Sequence, residues 1–129
     1  MTQTDRTYRE RLKNLKTVII IPTYNNNGTI AQVISDVKEY ADDIMVVNDG
    51  STDGSLNIIE AYAARDSRIV VITGPNGGYG RAMNKGLDRA TGDYIGILEP
   101  DDYLDLHMFE DLYTLASEQD LDFVKADFY

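Results

Sequence analysis

Apolar positions along this chain alternate between short unbroken runs and a helical spacing. Val18–Ile21 is a β-branched run closed by Pro22, and Ile44–Val47, Ile69–Ile72 and Tyr94–Leu98 are runs of the same kind. Runs this short, without polar interruption, predict strands buried on both faces. Between the first two, Ile30, Val33, Ile34, Val37 and Ala41 fall on one face of a helix. Leu56, Ile59 and Ala63 mark a second helix, with Ser51 or Thr52 placed to cap it and Asp53 in its first turn. Ala82 to Arg89 reads as a third helix despite Gly86, and Phe109, Leu112, Leu115 and Ala116 outline a fourth. Phe123–Phe128 predicts a final strand.

Alternating strands and helices predict an α/β fold: three layers, α/β/α, around a mostly parallel, doubly wound sheet with right-handed crossovers. Ligands of such sheets bind beyond the carboxyl ends of the strands, near a switch in strand order. The candidate chemistry therefore lies in Thr23–Asn27, Asn48–Asp53, Thr73–Gly80 and Glu99–Asp102, which follow the four main strands. The 129 residues suit one domain over 17–129, preceded by a basic leader over 1–16.

Charge narrows the partners. The formal net charge is −10, and residues 99–129 hold ten of the 22 acids against one base, Lys125. The body of the chain has no basic stripe to displace counterions, which excludes a nucleic-acid binder. Arg6, Arg9, Arg11, Lys13 and Lys16 make the leader the one basic region; it reads as a solvated segment, with a weak anionic-surface contact as the alternative. The chain contains no cysteine, so disulfides and thiolate sites are excluded. Val18–Ile21, the longest aliphatic run, is far below the roughly 18 residues of a membrane span. The expected location is cytoplasmic, with a peripheral position at the inner membrane face compatible with it.

Each loop carries distinct chemistry. Glu99-Pro100-Asp101-Asp102 brings three carboxylates together, which repel one another unless a cation or solvent intervenes. Hard oxygen ligands of this kind suit Mg²⁺ or Mn²⁺, while a solvated acidic turn leading into a helix is the competing reading. Asp49, in Asn48-Asp49-Gly50-Ser51-Thr52-Asp53, can accept from a ribose hydroxyl or a base N–H, and the same residue types also suit a tight turn and helix cap. Tyr24, after the first strand, can stack a base or simply pack. The glycines of Gly74-Pro75-Asn76-Gly77-Gly78 permit positive φ or close backbone approach. Gly78 and Gly80 match only part of a dinucleotide fingerprint, and Met83 stands where its third glycine belongs. His107, the only histidine, is too solitary to anchor a catalytic triad.

Taken in order, Val18-Ile19-Ile20-Ile21-Pro22-Thr23-Tyr24-Asn25, Val46-Val47-Asn48-Asp49-Gly50-Ser51-Thr52-Asp53, Asn84-Lys85-Gly86 through Ala90-Thr91-Gly92-Asp93-Tyr94-Ile95, and Glu99-Pro100-Asp101-Asp102 resemble the N-terminal half of family-2 glycosyltransferases of the GT-A fold. The resemblance implies a nucleotide-sugar donor site for inverting glycosyl transfer, UDP being the usual nucleotide. It assigns Pro22, Thr23 and Tyr24 to the nucleoside, Asp49 to the base, and Asp101, Asp102 and Glu99 to a divalent cation, Mn²⁺ or Mg²⁺, that bridges the donor phosphates. Glu99 stands where the family's DxD-like motif more often begins with Asp, and Ala82-Met83-Asn84 replaces an Ala-Arg-Asn triplet, with Arg81 one residue earlier.

On this resemblance the chain is the donor-binding half of a longer transferase. The acceptor is a saccharide, a lipid-linked group or a protein. The general base is expected beyond residue 129, because nothing at Asp120, Asp122 or Asp127 matches the family's later motif. The isolated chain is then weakly active or inactive, and its open sheet edge invites self-association. A non-catalytic nucleotide-binding or regulatory domain on the same fold is the alternative.

Overall fold

The structure, a computed structural model, describes residues 17–39, 41, 43–91, 93–100 and 108–124. Four parallel strands form one sheet: β1 (Thr17–Thr23), β2 (Asp43–Asp49), β3 (Ile69–Gly74) and β4 (Tyr94–Ile97), in the order β3-β2-β1-β4. The helices are α1 (Ile30–Lys38), α2 (Ser55–Arg65), α3 (Tyr79–Arg89) and α4 (Met108–Glu118). The α/β doubly wound expectation holds. The order reverses between β1 and β4, which places the switch point there.

Alternation along the central strands divides the core in two. Ile19, Ile21, Ile44 and Val46 turn to one face, where Ile30, Val33, Ile34 and Val37 of α1 and Ile59 of α2 close over them. Leu112 of α4 packs against this cluster, and Tyr94 meets Tyr113 edge to face, with ring centroids 5.1 Å apart. Val18, Ile20, Met45, Val47 and Ile72 turn to the other face, where Ala82 and Met83 of α3 cover them.

Gly86 explains itself in this packing. A Cβ there would stand 3.1 Å from Ile20 Cγ2 and 3.2 Å from Val47 Cγ2, so glycine lets α3 lie close on the sheet. Its helix-propensity cost, about 1 kcal/mol, is offset by that contact.

Several boundaries differ from the sequence reading. Pro22 does not end β1; it pairs in register with Val47. Ile20 turns its carbonyl to β4, where it accepts from Leu98 N–H at 3.0 Å. Pro22, two residues on, turns its donorless nitrogen the same way, past the last paired residue of β4, so the sheet loses no rung.

The strands are not all buried on both faces. β1 and β2 are, but β3 and β4 are edges, and Ile95 and Ile97 remain 43% and 45% exposed. The edge named for self-association is thus apolar on one face. Leu115 of α4 also faces outward. Residues 121–124 have no regular structure and Phe123 is 79% exposed; the rest of the expected last strand lies outside the described residues.

Candidate functional site

The loops after β1, β2 and β3 and the residue after β4 converge on the carboxyl edge of the sheet, beside the switch point. Thr23, Asn48 and Thr73 stand side by side there through the strand register. Asn48 Nδ2 donates to Thr73 Oγ1 at 3.0 Å, while Asn48 Oδ1 is buried and has no donor among the described residues. Pro22 and Thr23 are buried, so of the three residues assigned to the nucleoside only Tyr24, 48% exposed, presents its side chain outward.

The first and second loops are zipped together by side chains bonding to backbone. Asn25 N–H donates to Ser51 Oγ at 3.0 Å, and Thr52 N–H donates to Asn25 Oδ1 at 2.8 Å. Asn26 N–H donates to Ser55 Oγ at 2.9 Å, and Asn27 N–H to Asp53 Oδ2 at 3.2 Å. Asn25 adopts φ 52, which asparagine tolerates better than most residues. The run Asn25-Asn26-Asn27 is therefore loop scaffolding that the sequence reading missed; three amide side chains beside a strand end were its only signal.

This arrangement corrects the expected helix cap. Ser51 and Thr52 serve Asn25, not α2. Asp53 lies before the helix rather than in its first turn, and its Oδ1 accepts from Ser55 N–H at 2.9 Å. The Ser55 side chain first, then the Ser55 and Asn27 amides, hold the Asp53 carboxyl below the usual carboxylate range.

Asp49 ends β2 and is only 6% exposed. Gly77 N–H donates to its Oδ1 at 2.8 Å and Gly78 N–H to its Oδ2 at 3.0 Å. Gly78 takes φ 93, a backbone conformation that favours glycine, as the chain turns from these two amides into α3. Gly50, at φ 70, presses against the same loop: a Cβ there would sit 2.3 Å from Asn76 N. The Arg81 stem lies over Gly77, its Cδ 2.6 Å from where a Cβ on Gly77 would stand, so Arg81 folds back on its own loop. Lys85 Nζ comes within 3.1 Å of the same position on Gly74.

At the far side of the switch point, Tyr79 Oη donates to Glu99 Oε1 at 2.5 Å. That bond, followed by burial and the Glu99 charge, pushes the Tyr79 hydroxyl up to about 12. It joins the first turn of α3 to the first acid of the expected metal motif. Asp101, Asp102, His107 and Asp127 lie outside the described residues; Asp120 and Asp122 are exposed near the end of α4. Among the described residues no three acids or histidines gather to hold a metal ion. The donor types still suit a hard cation: Glu99 stands at the ligand edge with one oxygen engaged by Tyr79, and Asp101 and Asp102 follow two and three residues later in sequence.

The fold defines the class: a doubly wound α/β domain, the fold of GT-A glycosyltransferases. The chain belongs to glycosyl transferase family 2, whose model matches residues 18–129.

Among relatives, the glycosyltransferase EpsJ of Bacillus subtilis (strain 168) is 40% identical over 119 residues, covering 86% of this chain and 33% of EpsJ. Glycosyltransferase GlyG of Streptococcus pneumoniae serotype 4 is 34% identical over 115 residues, covering 86% of this chain and 38% of GlyG. The chain thus spans about a third of the length of these relatives.

Two solved structures share the fold. One is the mannosyltransferase PcManGT of Pyrobaculum calidifontis in complex with GDP-Man and Mn²⁺, with TM-score 0.68, 20% identity and coverage of 80% of this chain and 32% of that one. The other is glucosyl-3-phosphoglycerate synthase of Mycobacterium tuberculosis with Mn²⁺, UDP and glucosyl-3-phosphoglycerate, with TM-score 0.67, 20% identity and coverage of 88% and 44%. No helix among the described residues is long and apolar enough to cross a membrane.

Proposed function

We propose that this domain binds the nucleoside diphosphate part of a sugar donor along the carboxyl edge of its sheet, as the donor-binding part of an inverting glycosyltransferase. The observation that carries this reading is the convergence of Tyr24, the Asp49–Gly78 contact and Glu99 at one switch point in a family-2 chain. Tyr24 is an exposed aromatic available to a base, with Pro22 and Thr23 as the wall behind it. UDP is the proposed nucleotide.

Glu99, Asp101 and Asp102 would hold Mn²⁺ or Mg²⁺. When bound, that cation supplies the positive charge that holds a pyrophosphate and stabilises the departing nucleoside diphosphate. An acidic chain with net charge −10 gains most from such a counter-charge. Both structures named above contain Mn²⁺, which supports this reading. The acceptor site and the general base are assigned to the part of the relatives' length that this chain does not span.

Isothermal titration with UDP, GDP, CDP and TDP, with and without Mn²⁺, tests the reading. Metal-dependent binding of one nucleotide, abolished in an Asp101→Ala, Asp102→Ala variant, is the expected result. Metal-independent binding would instead favour a non-catalytic nucleotide-binding domain on the same fold, and absence of binding in every condition would defeat the proposal.

A further inference from the structure

We infer that Tyr79 is a positioning residue for the donor site: its hydroxyl holds one oxygen of Glu99 and leaves the other as the oxygen presented to a divalent cation. The inference rests on the nucleotide-binding reading above and adds a residue to those named there.

The backbone of Glu99 is fixed from both sides. Leu98, before it, is 3% exposed and donates its N–H to the Ile20 carbonyl at 3.0 Å, one step beyond the paired residues of β4. Pro100, after it, is buried, and a residue that precedes proline is confined to extended backbone. What remains free is the side chain. Glutamate has one more torsion than the aspartate that more often opens this motif, and that torsion must be fixed before the carboxylate can serve as a ligand.

Tyr79 supplies the restraint. It opens α3 three and four positions before Ala82 and Met83, which seat this helix on the sheet, so it lies on the same side of the helix. Its Oη donates to Glu99 Oε1 at 2.5 Å, the short end of the range for a hydroxyl bonded to a carboxylate. The ring is 56% exposed and adds little to the core, so packing does not account for a tyrosine here, whereas the hydroxyl does. A tyrosine side chain has only two torsions, and this one reaches Glu99 from a helix held close to Ile20 and Val47 through Gly86. With Oε1 engaged, Oε2 is the oxygen left for a hard cation.

Two measurements on the 129-residue chain test this. The first needs no ligand: the ¹³C resonance of the Glu99 side-chain carboxyl, assigned by its loss in Glu99→Gln. It is expected to shift in Tyr79→Phe, which keeps the ring and removes the donor. An unmoved resonance overturns the inference.

The second is a Mn²⁺ titration in saturating UDP, followed by the EPR signal of free Mn²⁺. Tyr79→Phe is expected to weaken Mn²⁺ binding about fivefold, the worth of one hydrogen bond. Glu99→Asp draws the carboxylate back by one methylene, out of the hydroxyl's reach. Adding Tyr79→Phe to that variant should therefore change Mn²⁺ affinity by less than about twofold. Unchanged affinity in Tyr79→Phe, or the same loss on both backgrounds, overturns the inference while leaving the nucleotide reading intact; the second result would make Tyr79 a direct contact of the ligand. Failure of the wild type to hold Mn²⁺ with UDP overturns both, and the carboxyl resonance then reports the Tyr79–Glu99 bond alone.

Discussion

The two faces of the sheet are built on opposite plans. On one, α1 and α2 lay long aliphatic side chains over Ile19, Ile21, Ile44 and Val46, and Leu112 of α4 adds to them. Polar staples reinforce that face. Arg68 bonds both oxygens of Asp66 and donates to the Lys38 and Ala41 carbonyls, tying the α2–β3 turn to the end of α1. Lys38 adds an ion pair to Asp66 at 3.7 Å and lies 5.5 Å from the Tyr62 ring centroid.

On the other face, among the described residues, one helix, α3, rests on the sheet through Ala82, Met83 and Gly86, and Ile95 and Ile97 are exposed. Two of the contacts at the candidate site lie at the start of that helix. A helix with little apolar contact takes its position from its ends, and the bonds from Gly77 and Gly78 to Asp49 and the Tyr79–Glu99 bond are at one of them. The thick face stores stability; the thin face stores geometry.

Substitutions can separate the two plans. The largest expected effect is Ile34→Ala on the thick face, a cost of about 3 kcal/mol for a fully buried aliphatic, read by urea denaturation. Nucleotide affinity of the folded fraction should not change. Gly86→Leu overpacks the thin face and should cost about 2 kcal/mol. Because it lifts α3 from Ile20 and Val47, it should also weaken nucleotide binding; equal binding losses in the two variants would erase the distinction.

Asp66→Asn should cost about 1–2 kcal/mol at neutral pH, the worth of a charge-assisted hydrogen bond. Hydrogen bonding from the Arg68 side chain, then its amide and the charges of Arg68 and Lys38, hold the Asp66 carboxyl well below the usual carboxylate range. A depressed value in the folded state means the contribution is complete above the unfolded value of about 4, declines below it, and is gone only once pH has fallen through the folded value. The gap between wild type and variant should therefore begin to narrow below about pH 4 without closing by pH 3, which denaturation at pH 7 and pH 3 will reveal. Tyr79→Phe should be the mildest, under about 1 kcal/mol, because an exposed hydrogen bond to a carboxylate exchanges readily with water. A loss as large as that of Ile34→Ala would mean that the thin face depends on this bond for stability.

Much of this molecule is local. Strand–helix alternation, the parallel sheet and the ligand edge follow from apolar spacing, since a buried parallel strand must be continuously apolar and a helix on its face must repeat every three to four residues. The sequence also marks which loops matter, because ligands of such sheets lie beyond the strand ends. Pro22 shows where local reasoning stops: whether a proline breaks a strand depends on where the neighbouring strand ends, which is set by the partner and not by the proline.

The candidate site was legible as a list of residues and not as an arrangement. Asp49 was recognisable as an acid at the right edge, but its partners, Gly77 and Gly78, lie 28 and 29 residues away. Asn25 with Ser51 and Thr52, and Tyr79 with Glu99, are pairings of the same long-range kind. Residue type and spacing determine which backbone segments form, because those depend on neighbours within a turn or two. Only the packed structure decides which donor meets which acceptor, because a hydrogen bond needs its partners within about 3 Å, and chain order alone does not set that distance between loops.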